Sequence, residues 1–283
     1  MERVGLIGLG LLGSALADRL LQAGHTVLGF DVSPERREAL AAAGGVATES
    51  VAAMAAQCNV IVLSLPDSRV VAEVIESIAP SLHAGQRIVD TSTGEPLETA
   101  AMADKLAKRG VDFLDATILG SSVQVRDGQA IVMVGGSDAA FVAARELLSL
   151  FGCKLFHVGV AGSGTRMKLV VNLVLGLNRA VLAEGLTLAS ALELDLPSVL
   201  AVLKAGAAYS AVMDTKGDKM LARDFTPQAR LSQHLKDVRL MLAAAARTDR
   251  TLPLSETHRQ LLERAEAAGF GDADNSAVLQ AYG

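Results

Sequence analysis

The feature that most constrains this chain is a run of glycines, Gly8-Leu9-Gly10-Leu11-Leu12-Gly13, set between an apolar segment and an amphipathic one. Val4 to Gly8 reads as a strand and Leu12 to Gln22 as a helix, so the glycines occupy a strand-to-helix turn. There the first glycine permits the tight turn, the second lets the main chain approach a ligand, and the third lets helix and strand pack closely. The helix N-terminus faces the same point with unpaired N–H groups, which suits the pyrophosphate of a dinucleotide. The backbone of Leu9, Leu11 and Leu12 belongs to the same cradle.

The segments that follow repeat the strand-then-helix pattern. Thr26 to Asp31, Val60 to Leu65 and Arg87 to Thr91 read as strands, separated by helices at Pro34 to Ala43 and Arg69 to Ile78. A helix at Pro96 to Arg109, strands at Asp112 to Ala116 and Ala130 to Gly135, a helix at Asp138 to Phe151 and a strand at Lys154 to Val158 complete the series. After that the sequence reads as helix only: nearly thirty residues from Ser163, then segments near 197–204, 218–223, 228–247, 253–268 and 276–282. The expected fold is α/β: an N-terminal Rossmann-type, doubly wound sheet over residues 1–160, joined by a long helix to an all-α domain over 161–283.

Carboxyl ends of strands in such a sheet form the ligand crevice. Asp31 closes the second strand, 18 residues after Gly13, where a carboxylate accepts hydrogen bonds from ribose hydroxyls and repels a 2′-phosphate. That points to NAD, with NADP left open by Arg36 and Arg37. Leu65, Pro66 and Thr93 sit at later strand ends and are expected to line the cofactor.

Composition excludes several classes. With 26 Lys and Arg against 31 Asp and Glu, the net charge of −5 provides no field for nucleic acid. Cys58 and Cys153 lack the close Cys/His spacings of a metal site and read as buried thiols of a reducing cytosol. Mean hydropathy is high, at +0.36. The richest stretch, Leu169 to Leu192, is nevertheless interrupted by Asn172, Asn178, Arg179 and Glu184, so a buried helix rather than a membrane span is expected. Arg3, the apolar run to Leu12 and Ala15-Leu16-Ala17 imitate a secretory signal, but cleavage there would remove the glycine turn. The expected location is cytoplasmic.

The most specific chemical feature lies at the start of the long helix: Gly162-Ser163-Gly164-Thr165-Arg166-Met167-Lys168, then Asn172. Lys168 and Asn172, at i and i+4, share one helix face. The apolar neighbours of Lys168 suit it to proton transfer, and Asn172 to orienting it or holding a substrate oxygen.

Together these residues resemble the β-hydroxyacid dehydrogenase family across essentially the whole chain. Its GxGxxG matches Gly8, Gly10 and Gly13, and its GxGxxxKxxxN matches Gly162, Gly164, Lys168 and Asn172. Leu235-Lys236-Asp237 resembles its KD signature, and the segment from Gly271 to Ala277 its terminal GxxDxSA. The resemblance implies hydride transfer between NAD(P) and a small 3-hydroxy acid or its semialdehyde. Lys168 is then the general acid/base, and Lys236 reaches toward cofactor and substrate. The substrate loop departs from the family's DAPVSGG: the chain reads Asp115-Ala116-Thr117-Ile118-Leu119-Gly120-Ser121, with Leu119 where serine is expected. Gly120, Ser121 and Ser122 remain the candidates for holding a carboxylate, with Gln124 and Arg126 as further polar groups.

Two rival readings stand beside this one. An imine-reductase-like enzyme is favoured by Leu119 and disfavoured by Lys168; a non-catalytic dinucleotide-binding scaffold is disfavoured by the same lysine. The long apolar helix calls for more cover than one small helical domain supplies, which predicts a homodimer or homotetramer.

Overall fold

The computed structural model describes residues 2–282. The chain divides into two compact units, one ending at Lys168 and one beginning at Leu169.

The first unit is built on one sheet of β1 (Arg3–Ile7), β2 (Thr26–Phe30), β3 (Val46–Ala47), β4 (Val60–Leu63), β5 (Arg87–Asp90), β6 (Asp112–Leu119), β7 (Ile131–Gly135) and β8 (Lys154–Gly159). The spatial order is β3-β2-β1-β4-β5-β6-β7-β8. The chain therefore winds outward from β1, returns, and winds the other way from β4. That reversal puts a crevice beyond the carboxyl ends of β1 and β4. The helices of this unit are α1 (Leu11–Gln22), α2 (Pro34–Ala42), α3 (Val51–Ala55), α4 (Ser68–Ile78), α5 (Pro96–Ala107), α6 (Ser122–Arg126) and α7 (Asp138–Ser149).

Strand side chains alternate between two faces, and each face has its own core. Val4, Leu6, Val60 and Val62 join Leu16 and Leu20 of α1 and Leu148 of α7 on one side. Ile7, Ile61 and Leu63 join Met54, Ile75, Ile78 and Met102 on the other. Both faces being covered explains why these strands read as continuous apolar runs.

One ladder breaks the parallel pattern: β6 and β7 pair antiparallel. The connection between them holds only the five-residue α6, too short for the crossover that a parallel pair needs. β3, α3 and α6 are too short to carry a periodic signal, and the sequence reading does not contain them. Cys58 is buried, but Cys153 is exposed. It lies just before the edge strand β8, where its N–H donates to Ala130 O (2.8 Å) and its side chain meets solvent.

α8 (Ser163–Ala191) crosses the boundary between the units. Among the described residues it is the helix long and apolar enough to span a membrane by length and composition. Its Arg179 is only 3% exposed, as in a core helix. The second unit continues with α9 (Leu196–Ala205), α10 (Ala211–Leu221), α11 (Leu231–Ala246) and α12 (Pro253–Ala265). α10 begins seven residues earlier than the sequence indicates, and α12 passes into a π turn over Glu266–Phe270, where Gly269 takes φ +93°. Leu182, Leu186, Leu231, Leu235, Val238 and Leu262 form the core. The terminal segment is fastened to it by Asp274, which is fully buried. Its carboxylate accepts from Lys216 Nζ (2.9 Å), Gln228 N (2.9 Å), Ser276 N (3.1 Å) and Ser276 Oγ (2.8 Å).

Candidate active site

The glycine turn has the geometry its spacing requires. Gly8 takes φ +93°, and a Cβ there would lie 2.2 Å from Ser64 O. A Cβ on Gly13 would lie 1.9 Å from Gly8 O, so α1 packs on β1 at a distance only glycine allows. A Cβ on Gly10 would meet nothing within 4 Å. Gly10 is the N-cap of α1, and no side chain caps the helix. The first-turn N–H groups of Leu11, Leu12 and Gly13 thus have no side-chain cap, and the space beside Gly10 is open. This fits the pyrophosphate of a dinucleotide.

Asp31 follows β2, 6% exposed. Its Oδ2 accepts from Leu9 N (2.7 Å) and its Oδ1 from Ser33 N (2.9 Å). Burial pushes this carboxyl up, but the two N–H donors and the Arg36 guanidinium outweigh it and hold the group below its ordinary value. Arg36 lies 3.3 Å away with a half-exposed side chain. Arg37 donates to Asp31 O (2.6 Å) and lies over the Phe30 ring. Arg36 Nη1 donates to both carboxylate oxygens (3.4 and 3.3 Å), so a diol binding here would displace this half-exposed guanidinium.

Leu65, exposed Pro66 and half-buried Thr93 follow β4 and β5 on the same edge of the sheet, with Leu65 N donating to Ser92 Oγ (2.9 Å). Asp90, at the end of β5, is 4% exposed. Burial pushes its carboxyl up to about 7, and neighbouring Asp115 adds to this, against the hydrogen bonds from Ser92. The folded chain therefore binds this proton more tightly than the unfolded one, whose aspartate titrates at about 3.9. Stability on this account declines as pH rises from about 4 to 7 and then levels. At about 1.4 kcal/mol per tenfold change in proton affinity the decline reaches roughly 4 kcal/mol. Asp90→Asn should remove that slope, melting above the wild type at pH 8 and with it at pH 4; equal melting profiles at both pH values would refute the assignment.

The most connected polar cluster joins β6 to the start of α8. Asp115 is 1% exposed. Its Oδ1 accepts from Gly162 N (2.8 Å), and its Oδ2 from Thr165 N (2.7 Å) and Thr165 Oγ1 (3.1 Å). Two residues on, Thr117 Oγ1 donates to Gly164 O (2.9 Å). One further, Ile118 O accepts from Lys168 Nζ (2.5 Å). Gly164 has to be small, since a Cβ there would lie 2.3 Å from Asp115 O. Burial pushes the Asp115 carboxyl up, against the pull of its three donors. Asp115 and Thr117 are not among the sequence candidates, because their partners lie about fifty residues away.

The loop beyond β6 is more ordered than its composition implies. Ser121 caps α6 in a reciprocal box: Gln124 N donates to Ser121 Oγ (3.2 Å) and Ser121 N to Gln124 Oε1 (2.8 Å). The S-x-x-Q spacing carries that signal. The Ser121 N–H is thus already engaged, while Gly120 directly follows β6 and Ser122 opens α6. Arg126 turns away, bonding Asp18 Oδ2 (2.7 Å) and Ser14 Oγ (3.1 Å) on α1.

In the second unit, Asn172 is 7% exposed and donates from Nδ2 to Asp237 Oδ2 (2.9 Å). Lys236 Nζ lies 3.5 Å from Asp237 Oδ1. Asp237 therefore joins the two sequence candidates of that unit. Among the described residues no group of three or more His, Cys, Asp or Glu converges to hold a metal.

Comparison with known proteins accounts for both units. The family described as the NAD binding domain of 6-phosphogluconate dehydrogenase matches residues 3–159, and the NAD-binding of NADP-dependent 3-hydroxyisobutyrate dehydrogenase matches 162–282. The 2-(hydroxymethyl)glutarate dehydrogenase of Eubacterium barkeri is 33% identical, over 99% of this chain and 94% of that protein. The 2-hydroxy-3-oxopropionate reductase of Escherichia coli is 31% identical, over 99% and 96%. Among solved structures, Mycobacterium tuberculosis 3-hydroxyisobutyrate dehydrogenase with L-serine superposes with a TM-score of 0.91 at 27% identity, over 99% of this chain and 98% of that one.

Proposed function

The chain belongs to the β-hydroxyacid dehydrogenase family, and from that premise we propose that it transfers a hydride between NAD(P) and a small 3-hydroxy acid or its semialdehyde. The observation that carries this reading is Lys168, fixed against β6 at the start of α8. Residues 1–160 are assigned to the dinucleotide, and 161–283 to substrate and self-association.

Gly8 to Gly13 hold the pyrophosphate, Asp31 the ribose, and Leu65, Pro66 and Thr93 the face of the crevice. NAD is the expected cofactor, with Arg36 giving NADP a foothold. When bound, the nicotinamide supplies the hydride acceptor or donor. The chain's part is the proton. In oxidation Lys168 Nζ takes the hydroxyl proton as the C–H bond gives up its hydride and the C=O bond forms. In reduction the ammonium returns a proton to the developing alkoxide, which its charge also stabilises. Asn172 orients the substrate oxygen, Lys236 serves cofactor and substrate, and Gly120, Ser121 and Ser122 hold the carboxylate. Because the Ser121 N–H is engaged, the hydroxyls and the Ser122 N–H take the larger share.

Absorbance of the reduced nicotinamide, followed with hydroxy acids and NAD⁺ or NADP⁺ and with semialdehydes or cyclic imines in reverse, tests the reading. Turnover of a hydroxy acid or semialdehyde is expected; turnover of imines alone, or cofactor binding without turnover, would overturn it.

Self-association as a homodimer or homotetramer rests on α8. Val170, Val174, Val181 and Leu188, spaced by four, seven and seven residues, share one face, and each is more than half exposed. A second copy of the same helix is the proposed cover. Sedimentation at micromolar concentration should show no monomer, and Val174→Lys with Val181→Lys should release it; a monomeric wild type would refute this. A cytoplasmic location accords with a dehydrogenase that draws on the soluble NAD(P) pool.

A further inference from the structure

We propose that Asp115 is the positioning residue for Lys168, acting as an N-terminal cap for α8 supplied by a strand fifty residues away. This deepens the dehydrogenase reading and rests on it.

α8 must start at a defined place and rotation for a lysine in its second turn to point at a defined spot. Helix starts ordinarily carry their own cap, a Ser, Thr, Asp or Asn whose side chain takes an orphan N–H. Here the residue before Ser163 is Gly162, which has no side chain to offer. The acceptor comes from β6: one oxygen of Asp115 takes Gly162 N–H, and the other takes both donors of Thr165. Two oxygens gripping two points of one turn fix rotation as well as position. A negative charge against the first turn also opposes the positive end of the helix dipole.

The strand then reads the helix in sequence. Asp115 grips the first turn, Thr117 takes Gly164 O, and Ile118 O takes the lysine itself. β6 is mostly buried, paired with β5 over 112–115 and with β7 over 115–119. Its pitch therefore sets where Lys168 Nζ stands relative to Gly120 at the strand's end. Gly135 and Gly164 provide the room: a Cβ on either would come within 3.0 Å of the Asp115 carboxylate, at 2.4 Å for Gly135.

The test is Asp115→Asn in the full-length protein. The amide keeps the volume but brings two N–H groups to a site that already holds three donors. A displacement of about 1 Å in a catalytic group costs on the order of a hundredfold in rate. The expected result is a kcat lower by about that factor, with Kd for NADH and KM for substrate within about twofold, and a solvent deuterium isotope effect on kcat that rises as proton transfer becomes limiting. A merely structural loss of active protein lowers kcat and leaves the isotope effect unchanged. Thr165→Val and Thr165→Ser provide a second route if the asparagine variant does not fold. Valine should reproduce a smaller loss with the same isotope signature, and serine should restore the wild-type values. A wild-type rate in Asp115→Asn, or a lowered rate with an unchanged isotope effect, overturns the assignment while leaving the dehydrogenase reading intact. A wild type that turns over no hydroxy acid or semialdehyde overturns both.

Discussion

Lys168→Ala should lower kcat by roughly a thousandfold, within the range a positioned acid/base contributes, while Kd for NADH stays within about twofold. The two halves of this expectation have separate origins. On the proposed reading cofactor affinity resides in the glycine turn and in Asp31, which lie at β1, α1 and β2, whereas Lys168 is bonded to Ile118 O of β6. The proposed chemical step needs a proton moved at the substrate oxygen, and the lysine is the group assigned to it. Alanine removes the ammonium and its hydrogen bond to Ile118 O but leaves helix propensity high. The helix start is held independently by Asp115 and Thr117. Fluorescence titration of NADH and steady-state kinetics separate the two halves. Retained turnover would remove Lys168 from the mechanism.

Two glycines of the turn should both lose NADH affinity when replaced by alanine, but only one should lose stability. At Gly13 the new methyl would lie 1.9 Å from Gly8 O, a backbone atom that cannot swing aside. α1 must lift from β1, with overpacking that costs roughly 3 kcal/mol of stability, and a Kd for NADH raised by more than about tenfold. At Gly10 the methyl meets nothing within 4 Å, so the fold should keep its melting temperature. It projects into the open space at the uncapped helix start where the pyrophosphate is proposed to lie, however, so affinity should fall by a similar factor. Thermal unfolding beside NADH titration distinguishes them. If Gly10→Ala binds NADH like the wild type, the pyrophosphate is held elsewhere.

What the sequence makes legible follows from distance along the chain. The glycine turn and the Lys168/Asn172 pair depend on spacings of a few residues within one element, and Asp31 on its place at the end of the next strand, so periodicity exposes them. The order of the long strands and helices is legible for the same reason. Asp115 and Asp237 are different. Their partners Thr165 and Asn172 stand 50 and 65 residues away, and a contact of that kind leaves no local trace. Asp274 reads as part of a terminal motif, but its role as an acceptor for Lys216 emerges only when chain positions 58 residues apart meet. The capping box at Ser121 is the reverse case: its S-x-x-Q pattern is local, and the departure at Leu119 draws attention from it. The antiparallel β7 follows from a connection length, which constrains topology without naming it.

The bond between Lys168 and Ile118 runs to a carbonyl oxygen. Every residue type carries that atom, so the lysine's anchor survives any replacement of the side chains at 118 and 119 that leaves the strand intact. Variation in these two side chains is thereby uncoupled from the position of the lysine behind them. The leucine at 119, where the family pattern has serine, is one such replacement, and it leaves the bond to Ile118 O in place.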